Sequence, residues 1–364
     1  MDTTDPIITF DEQGVCNHCT EYLDVRAAYS YKGEETDRKF QSLISEIKAN
    51  GKNKNYDCVV GLSGGIDSSY VAYLAKKNGL RVLGVHMDNG WNSEEAVQNI
   101  KNIARILDID YESYVLNWYE FKDLQLAFLK ASVPEADTPT DIAILSSLHI
   151  VAKKYGVKYI ISGGNFATEG ILPKHWHYNA KDLTYFNHIY KTFGSKRLKS
   201  FPTFGFRSEM YYKLVSKIKM VYLLNYVSYD KSEAISILEK ELNWKNYGGK
   251  HYESKYTGFI QSYYLFKKFN IDYRKATLSS QICAGAISRV DALEILKNKP
   301  FDDLKIEREI EYISKKLTIS KESLIEIIER KPKWYNDYPN DEKWLKYVYD
   351  TYRKIFKKEK LASF

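Results

Sequence analysis

Residues 57–69 read Asp57-Cys58-Val59-Val60-Gly61-Leu62-Ser63-Gly64-Gly65-Ile66-Asp67-Ser68-Ser69, and this stretch decides the fold. Its apolar first half predicts a buried strand, and the glycines that follow predict a tight turn and then a helix. Such a turn exposes backbone N–H groups, and the helix N-terminus adds a partial positive charge. The stretch therefore predicts a phosphate-binding site, the alternative being an ordinary glycine turn without a ligand.

The side chains of this turn suit an anionic ligand as well. Ser63 and Ser68 can donate hydrogen bonds through their hydroxyl groups, and Asp67 can cap the helix or help to hold a metal ion. The Gly-Lys-Ser/Thr ending of a Walker A loop is absent, so we expect no lysine on the β- and γ-phosphates.

Length and composition indicate a folded protein of two or three domains. The 364 residues are 44% hydrophobic and 28% charged, which is typical of globular chains. No apolar run approaches the ~20 residues of a membrane span, and no signal peptide is visible, so we predict a cytoplasmic protein with no membrane partner. Four cysteines are too few for a disulfide framework.

The net charge of +7 and the 31 tyrosines are compatible with two kinds of partner. Nucleic acid would suit both features, but the lysines are spread along predicted amphipathic helices and form no tract. An anionic small substrate fits equally well.

Apolar strands alternate with amphipathic helices through the first half of the chain. Strands are predicted at 56–62, 81–87, 110–116 and 159–162, and helices at 36–50, 68–78, 93–107, 118–131 and 141–155. Helices of this length between strands imply parallel crossovers, so we predict an α/β fold with a doubly wound parallel sheet. Ligands then bind at the carboxyl ends of the strands, where the polar segments 88–91 and 162–165 fall.

Three regions follow from this pattern. Residues 1–50 form a small cysteine-containing segment with a short strand at Ile7–Phe10, and residues 51–205 form the sheet domain. From Phe206 we predict a mostly helical domain, residues 206–364, without a further strand. Near the start, Cys16-Asn17-His18-Cys19 is either half of a zinc site or a turn with two unligated cysteines, because a structural zinc takes four ligands.

Residues 63–68 resemble the PP-loop, Ser-Gly-Gly-x-Asp-Ser, of the ATP pyrophosphatases, which hold the leaving pyrophosphate while the α-phosphorus is attacked. Further blocks are similar to one branch of that superfamily, the N-acetyl sugar amidotransferases of bacterial surface-polysaccharide and nonulosonic-acid pathways. The resemblance covers most of the chain, and its blocks are 9–11 with 14–19, 137–141, 162–170 and 247–254. Family members usually carry an earlier Cys-x-x-Cys before the position of Met1, so zinc binding by Cys16 and Cys19 would need ligands from elsewhere.

The resemblance implies an AMP-forming carbon–nitrogen ligase that acts in O-antigen or lipopolysaccharide biosynthesis. ATP would adenylate the acetamido oxygen of an N-acetylated sugar acid or nucleotide sugar, and ammonia would then displace AMP to leave an acetamidino group. The expected cofactors are ATP and Mg²⁺, with Zn²⁺ depending on the cysteines.

Site residues are assigned on the same basis. Nucleotide contacts are expected from Ser63, Gly64, Gly65, Ile66, Asp67, Ser68 and Ser69, from His86, Met87 and Asp88 beside the adenine, and from Gly163, Gly164, Asn165 and Glu169. The expected catalytic groups are Ser63 and Asp67, with Lys250, His251 and Glu253 binding the sugar or moving protons. The expected metal ligands are Cys16 and Cys19.

No Cys–His–Asn or Ser–His–Asp set stands out, so ammonia is expected from a separate glutaminase subunit. The main alternative is a tRNA-modifying PP-loop enzyme, although no cysteine pair is placed to carry sulfur and a nucleic-acid partner is not expected. The other alternative is a non-catalytic protein that binds zinc and a nucleotide.

Overall fold

A computed structural model describes residues 1–29, 34–246 and 253–356. Its centre is a parallel sheet of five strands in the order β3-β2-β1-β4-β5. The strands are β1 (Cys58–Gly61), β2 (Val82–Asp88), β3 (Asp110–Val115), β4 (Tyr159–Ser162) and β5 (Lys219–Tyr222). The prediction of a parallel α/β sheet is thus confirmed.

Helices cover both faces of the sheet and make up most of the C-terminal region. Up to β5 they are α1 (Asn17–Tyr29), α2 (Glu34–Gly51), α3 (Ile66–Lys77), α4 (Glu94–Ile106), α5 (Trp118–Lys130), α6 (Thr138–Lys154), α7 (Phe166–Glu169), α8 (Leu183–Phe193) and α9 (Phe206–Met210). After β5 they are α10 (Lys231–Leu242), α11 (Lys255–Phe259), α12 (Leu265–Phe269), α13 (Arg274–Ala284), α14 (Arg289–Leu296), α15 (Ile306–Leu317), α16 (Lys321–Glu329) and α17 (Glu342–Phe356).

Alternating side chains of β1 build the two apolar layers. Cys58 and Val60 point to one face and pack with α3, α4 and α10, whereas Val59 points to the other face and packs with α6. Because β1 is buried on both faces, its sequence is a continuous apolar run. Side-chain caps fix where two of the helices begin, since Ser93 accepts a hydrogen bond from the first turn of α4 and Asn117 accepts two from that of α5.

The strand order reverses at β1. From β1 the chain adds β2 and β3 on one side, and then crosses through α5 and α6 to β4 and β5 on the other. This reversal opens a crevice beyond the carboxyl ends of β1 and β4. The turn at 62–65 lies there.

The C-terminal helices reach back to the same edge of the sheet. The backbone N–H of Ser93 donates to the Glu253 carbonyl at 2.8 Å, and that of Lys255 donates to the Trp91 carbonyl at 2.9 Å. The segment after β2 is therefore tied to the start of α11, and one apolar cluster runs from Trp91 through α11 to α15 and α16.

Two expectations about strands are wrong. The structure has a strand beyond Phe206, since β5 pairs with β4 and extends the sheet past residue 205. Ile7–Phe10 is not a strand, because that region has a single bridge from Phe10 to Cys16. The division into 1–50, 51–205 and 206–364 stays a prediction. Within the described ranges, no helix is both long and apolar enough to cross a bilayer.

Candidate functional site

The turn between β1 and α3 is closed by its own side chains. The hydroxyl oxygens of Ser63 and Ser68 lie 2.9 Å apart in a hydrogen bond, and the Gly65 N–H donates to the Ser63 oxygen at 3.1 Å. The Ser63 N–H donates to the Ser68 oxygen at 3.3 Å. The loop is thus preorganised before a ligand arrives.

Gly64 occupies a position that other residues cannot fill without strain. Its φ is +79°, in the left-handed region, and an added Cβ would lie 2.3 Å from the Ala96 carbonyl oxygen. Its own carbonyl accepts hydrogen bonds from the Trp244 indole at 2.9 Å and the Asn99 amide at 3.3 Å. The loop is therefore fixed by α4 and by the segment after α10.

Asp67 lies in the first turn of α3, directly against the second glycine turn. A Cβ added to Gly163 would lie 2.9 Å from the backbone carbon of Asp67 and from the nitrogen of Ser68. The Tyr229 hydroxyl donates a hydrogen bond to the Asp67 carboxylate. The two glycine turns assigned from the sequence thus meet at one edge of the sheet.

Glu169 brings a second carboxylate to this edge. Its Oε2 accepts the Asn165 N–H at 3.4 Å and lies 3.4 Å from the position of a Cβ on Gly164. The Asn165 side chain accepts the Thr168 N–H at 2.9 Å and so caps α7. Asp67 and Glu169 therefore stand on either side of the Gly163-Gly164 pair.

Hard oxygen ligands of this kind fit Mg²⁺, which in nucleotide sites is bound by one or two carboxylates and by substrate phosphates. The described residues contain no group of three or more His, Cys, Asp or Glu arranged around a metal ion. Asp67 and Glu169 would then hold Mg²⁺ together with the phosphates of ATP.

His86 is held inside the sheet edge. It is buried, its Nδ1 contacts the Leu62 carbonyl at 3.0 Å, and its Nε2 contacts the Asn92 amide at 3.2 Å. Both ring nitrogens are engaged, so the side chain braces the end of β1. The register of β2 with β1 ends at Val85, and residues 86–88 continue past it along the crevice. Adenine binding there stays a prediction.

Two carboxyl groups lie at the N-terminal end of α6, Asp137 just before it and Asp141 in its first turn. Leu148 packs 3.4 Å from the Cβ position of Gly61, and Asp141, seven residues earlier, lies two turns higher on the same helix face, above the end of β1. Burial raises the pKa of Asp137 to about 6, and burial with the neighbouring Asp137 charge raises that of Asp141 to about 7. The Asp141 residue keeps solvent contact.

Of the three catalytic residues assigned in the C-terminal region, the structure describes one. Lys250 and His251 lie outside the described residues. Glu253 is described, and its backbone contact with Ser93 places it beside the start of α4. Two further polar side chains are engaged elsewhere, since Arg274 pairs with Asp272 at 2.7 Å and the His175 ring packs on Trp334.

The cysteine segment holds three thiols in place of the expected two. The sulfur atoms of Cys16 and Cys19 lie 3.4 Å apart, and Cys283 of α13 forms a hydrogen bond with Cys19. That bond and burial raise the pKa of Cys19, and burial raises that of Cys16. The described residues do not supply the four ligands of a structural zinc, so zinc binding stays a prediction.

Tyr229, Asp141 and Cys283 were missed as members of these groups. Tyr229 is 162 residues from Asp67, and Cys283 is 264 residues from Cys19. No local pattern reports such contacts. Asp141 had a local signal, because it belongs to the 137–141 block and begins a helix, but its direction depends on how α6 packs.

Two family models match separate parts of the chain. The NAD synthase family model matches residues 37–138, and the model for the LPS biosynthesis protein WbpG-like C-terminal domain matches residues 253–354. The chain thus joins an NAD synthase-like PP-loop domain to a WbpG-like C-terminal domain, which confirms the resemblance drawn from the motifs.

Individual relatives are similar to only part of the chain. The tRNA-specific 2-thiouridylase MnmA of Moorella thermoacetica is 32% identical over 124 residues, 29% of this chain and 34% of that protein. The chain therefore spans about a third of the length of the curated relatives it matches.

Two solved structures are similar over larger parts. The NH3-dependent NAD synthetase from Campylobacter jejuni is 19% identical, with a TM-score of 0.30, over 56% of this chain and 84% of that one. The U34-tRNA thiolase NcsA from Methanococcus maripaludis is 12% identical, with a TM-score of 0.35, over 74% and 82%.

Proposed function

We propose that this chain is an ATP-dependent amidotransferase that converts the acetamido group of an N-acetylated sugar into an acetamidino group. The observation that carries the proposal is the joining of a complete PP-loop to a C-terminal region that matches a lipopolysaccharide-biosynthesis domain. The sheet half supplies nucleotide chemistry, and the C-terminal half covers the same crevice, where a sugar would meet the α-phosphate.

The reaction needs ATP because an acetamido group is a poor electrophile. The amide oxygen attacks the α-phosphorus and pyrophosphate leaves. Ammonia then attacks the imidate carbon, the carbon–oxygen bond breaks with its electrons going to AMP, and NH replaces the oxygen. Aligning three reactants and stabilising the charge on the leaving groups are the tasks left to the protein.

Each part of the site has a role in this scheme. The 63–65 turn and the Ser68 hydroxyl would contact the pyrophosphate, with the bonds from the Ser63 and Gly65 N–H groups to the serine hydroxyls exchanged for bonds to phosphate oxygens. Asp67 and Glu169 would hold the Mg²⁺, which would neutralise phosphate charge. Asp141, with a pKa raised to about 7, is suited to take a proton from the attacking nitrogen near neutral pH.

In this proposal a separate glutaminase subunit supplies the ammonia. The reaction takes place in the cytoplasm, where ATP is available. The isolated chain should therefore be inactive with glutamine alone and active at high ammonium concentration. Glutamine hydrolysis by the chain itself would contradict this part of the proposal.

A second candidate is adenylation of a tRNA base. The 32% identity to a tRNA thiouridylase over 124 residues favours it. The WbpG-like match favours the sugar.

One experiment separates them. The chain is incubated with ATP, Mg²⁺ and ammonium. The acceptor is either bulk tRNA or one of a panel of N-acetylated nucleotide sugars and sugar acids. Released pyrophosphate, released AMP and the mass of the acceptor are measured. We expect pyrophosphate to be released only when a sugar is the acceptor. In the Asp67→Ala variant the rate of this release should fall by about a hundredfold or more. The exposed Asp24→Ala serves as the control and should match the wild type. Release that requires tRNA would overturn the sugar assignment.

A further inference from the structure

Tyr229 lies in the short connection between β5 and α10 and reaches across to the PP-loop helix. Its hydroxyl donates a hydrogen bond to the Oδ1 atom of Asp67. Its ring packs on Tyr70, with ring centroids 5.8 Å apart. Asp230, the next residue, caps α10 by accepting the Glu233 N–H at 2.8 Å, and α10 packs on α3. The backbone on both sides of this contact is therefore fixed.

The direction of this hydrogen bond, from Tyr229 to Asp67, is fixed. A carboxylate only accepts hydrogen bonds, so the tyrosine must be the donor. The bond engages one oxygen of Asp67 and sets the rotation of the carboxylate about its last torsion angle.

We propose that Tyr229 is a positioning residue that holds the Asp67 carboxylate in the orientation needed for Mg²⁺·ATP. Outer partners of metal-binding carboxylates commonly have this role, and their loss costs about 10- to 100-fold in metal affinity. The inference rests on the proposed function only in that the PP-loop binds Mg²⁺·ATP. It does not depend on which acceptor is adenylated.

Tyr229→Phe removes the hydroxyl and keeps the ring against Tyr70. The matched control is Tyr70→Phe, which removes a hydroxyl from the same aromatic pair and leaves the bond from Tyr229 to Asp67 in place. Calorimetric titration of the full chain measures ATP binding with and without Mg²⁺. We expect Tyr229→Phe to weaken Mg²⁺-dependent ATP binding by about tenfold, to leave Mg²⁺-free binding unchanged, and the control to match the wild type.

A double-mutant cycle distinguishes positioning from a structural role. In an Asp67→Ala background, Tyr229→Phe should have no further effect on Mg²⁺-dependent binding, whereas a general loss of structure would weaken it again. The proposal is overturned if Tyr229→Phe binds Mg²⁺·ATP as the wild type does, or if Mg²⁺ does not strengthen ATP binding to the wild type. A wild type that binds Mg²⁺·ATP but forms no amidine product would overturn the proposed function and leave this inference standing.

Discussion

At the scale of single residues, the PP-loop depends on backbone positions that only glycine fills well. Gly64 combines a left-handed φ of +79° with an Ala96 carbonyl oxygen 2.3 Å from where a Cβ would stand. Gly156 has a similar φ of +68° but nothing within 4 Å of its Cβ position. The pair therefore separates the cost of backbone strain from the cost of a clash.

We predict that Gly64→Ala destabilises the protein by at least about 2 kcal/mol, since strain and a clash with rigid helix backbone add. Gly156→Ala should cost about 1 kcal/mol from strain alone. Urea denaturation of both variants measures the difference. Equal losses would mean that α4 moves aside freely and does not fix the loop.

At the scale of elements, two carboxylates of α5 hold a long surface loop in place. Asp123 accepts hydrogen bonds from the Ser195 and Lys196 N–H groups at 2.9 and 3.0 Å and from the Tyr190 hydroxyl at 2.8 Å. Glu120 does the same for the N–H groups of residues 199–201. The segment 195–201 thus takes its shape from α5.

We expect Asp123→Ala to destabilise the protein by about 2 to 4 kcal/mol, because several donors lose a charged acceptor at once. Hydrogen exchange at Ser195 and Lys196 should accelerate much more than exchange in β1. Exchange that rises equally everywhere would show that Asp123 supports global stability only and not the loop.

The sequence predicts some of these elements well and others poorly, for physical reasons. β1 and the PP-loop turn have a strong local signal, namely a continuous apolar run followed by two glycines, and β2 is also a largely apolar run. β5 is only four residues long, with Met220 and Val221 between Lys219 and Tyr222. Its strand character therefore comes from pairing with β4. The bonds from α5 to the 195–201 loop span more than 70 residues and leave no periodic pattern.

The candidate site divides in the same way. Asp67, Gly163 and Glu169 could be assigned because each follows a predicted strand, and the carboxyl ends of parallel strands share one edge. The hydroxyl of Tyr229 could not, because its position depends on the unpredicted β5 and on α10. The third thiol, Cys283, could not be assigned either, because it lies on α13, far along the chain from Cys19.

At the scale of the whole molecule, a buried carboxylate, Glu209, links α17 to Lys181 in the segment before α8. Glu209 of α9 pairs with Lys181 at 2.8 Å and with Lys213 at 2.6 Å, and it accepts a hydrogen bond from Tyr349 of α17 at 2.5 Å. Burial alone would raise the pKa of Glu209, but the charges of Lys181 and Lys213 outweigh it and hold the pKa at about 2.

This shift predicts how stability depends on pH. The folded pKa lies below the ordinary value of 4.5, so the stabilisation is present above pH 4.5 and is lost as the pH falls toward 2. Glu209→Gln should cost roughly 2 to 3 kcal/mol at pH 7, with a deficit that shrinks below pH 4. Urea denaturation at each pH, followed by circular dichroism, measures the deficit. The exposed Glu294→Gln is the control, and a deficit for Glu209→Gln that does not change with pH would contradict the assignment.

The central claim is that the amide oxygen of the sugar attacks the α-phosphorus of ATP, and an isotope label tests it directly. The acceptor that supports turnover is prepared with oxygen-18 in its acetamido group and is converted with ATP, Mg²⁺ and ammonium. Mass spectrometry of the nucleotide product then locates the label. The account predicts AMP that carries the label in its phosphate and an amidine that has lost it. Unlabelled AMP, or ADP as the nucleotide product, would contradict the account.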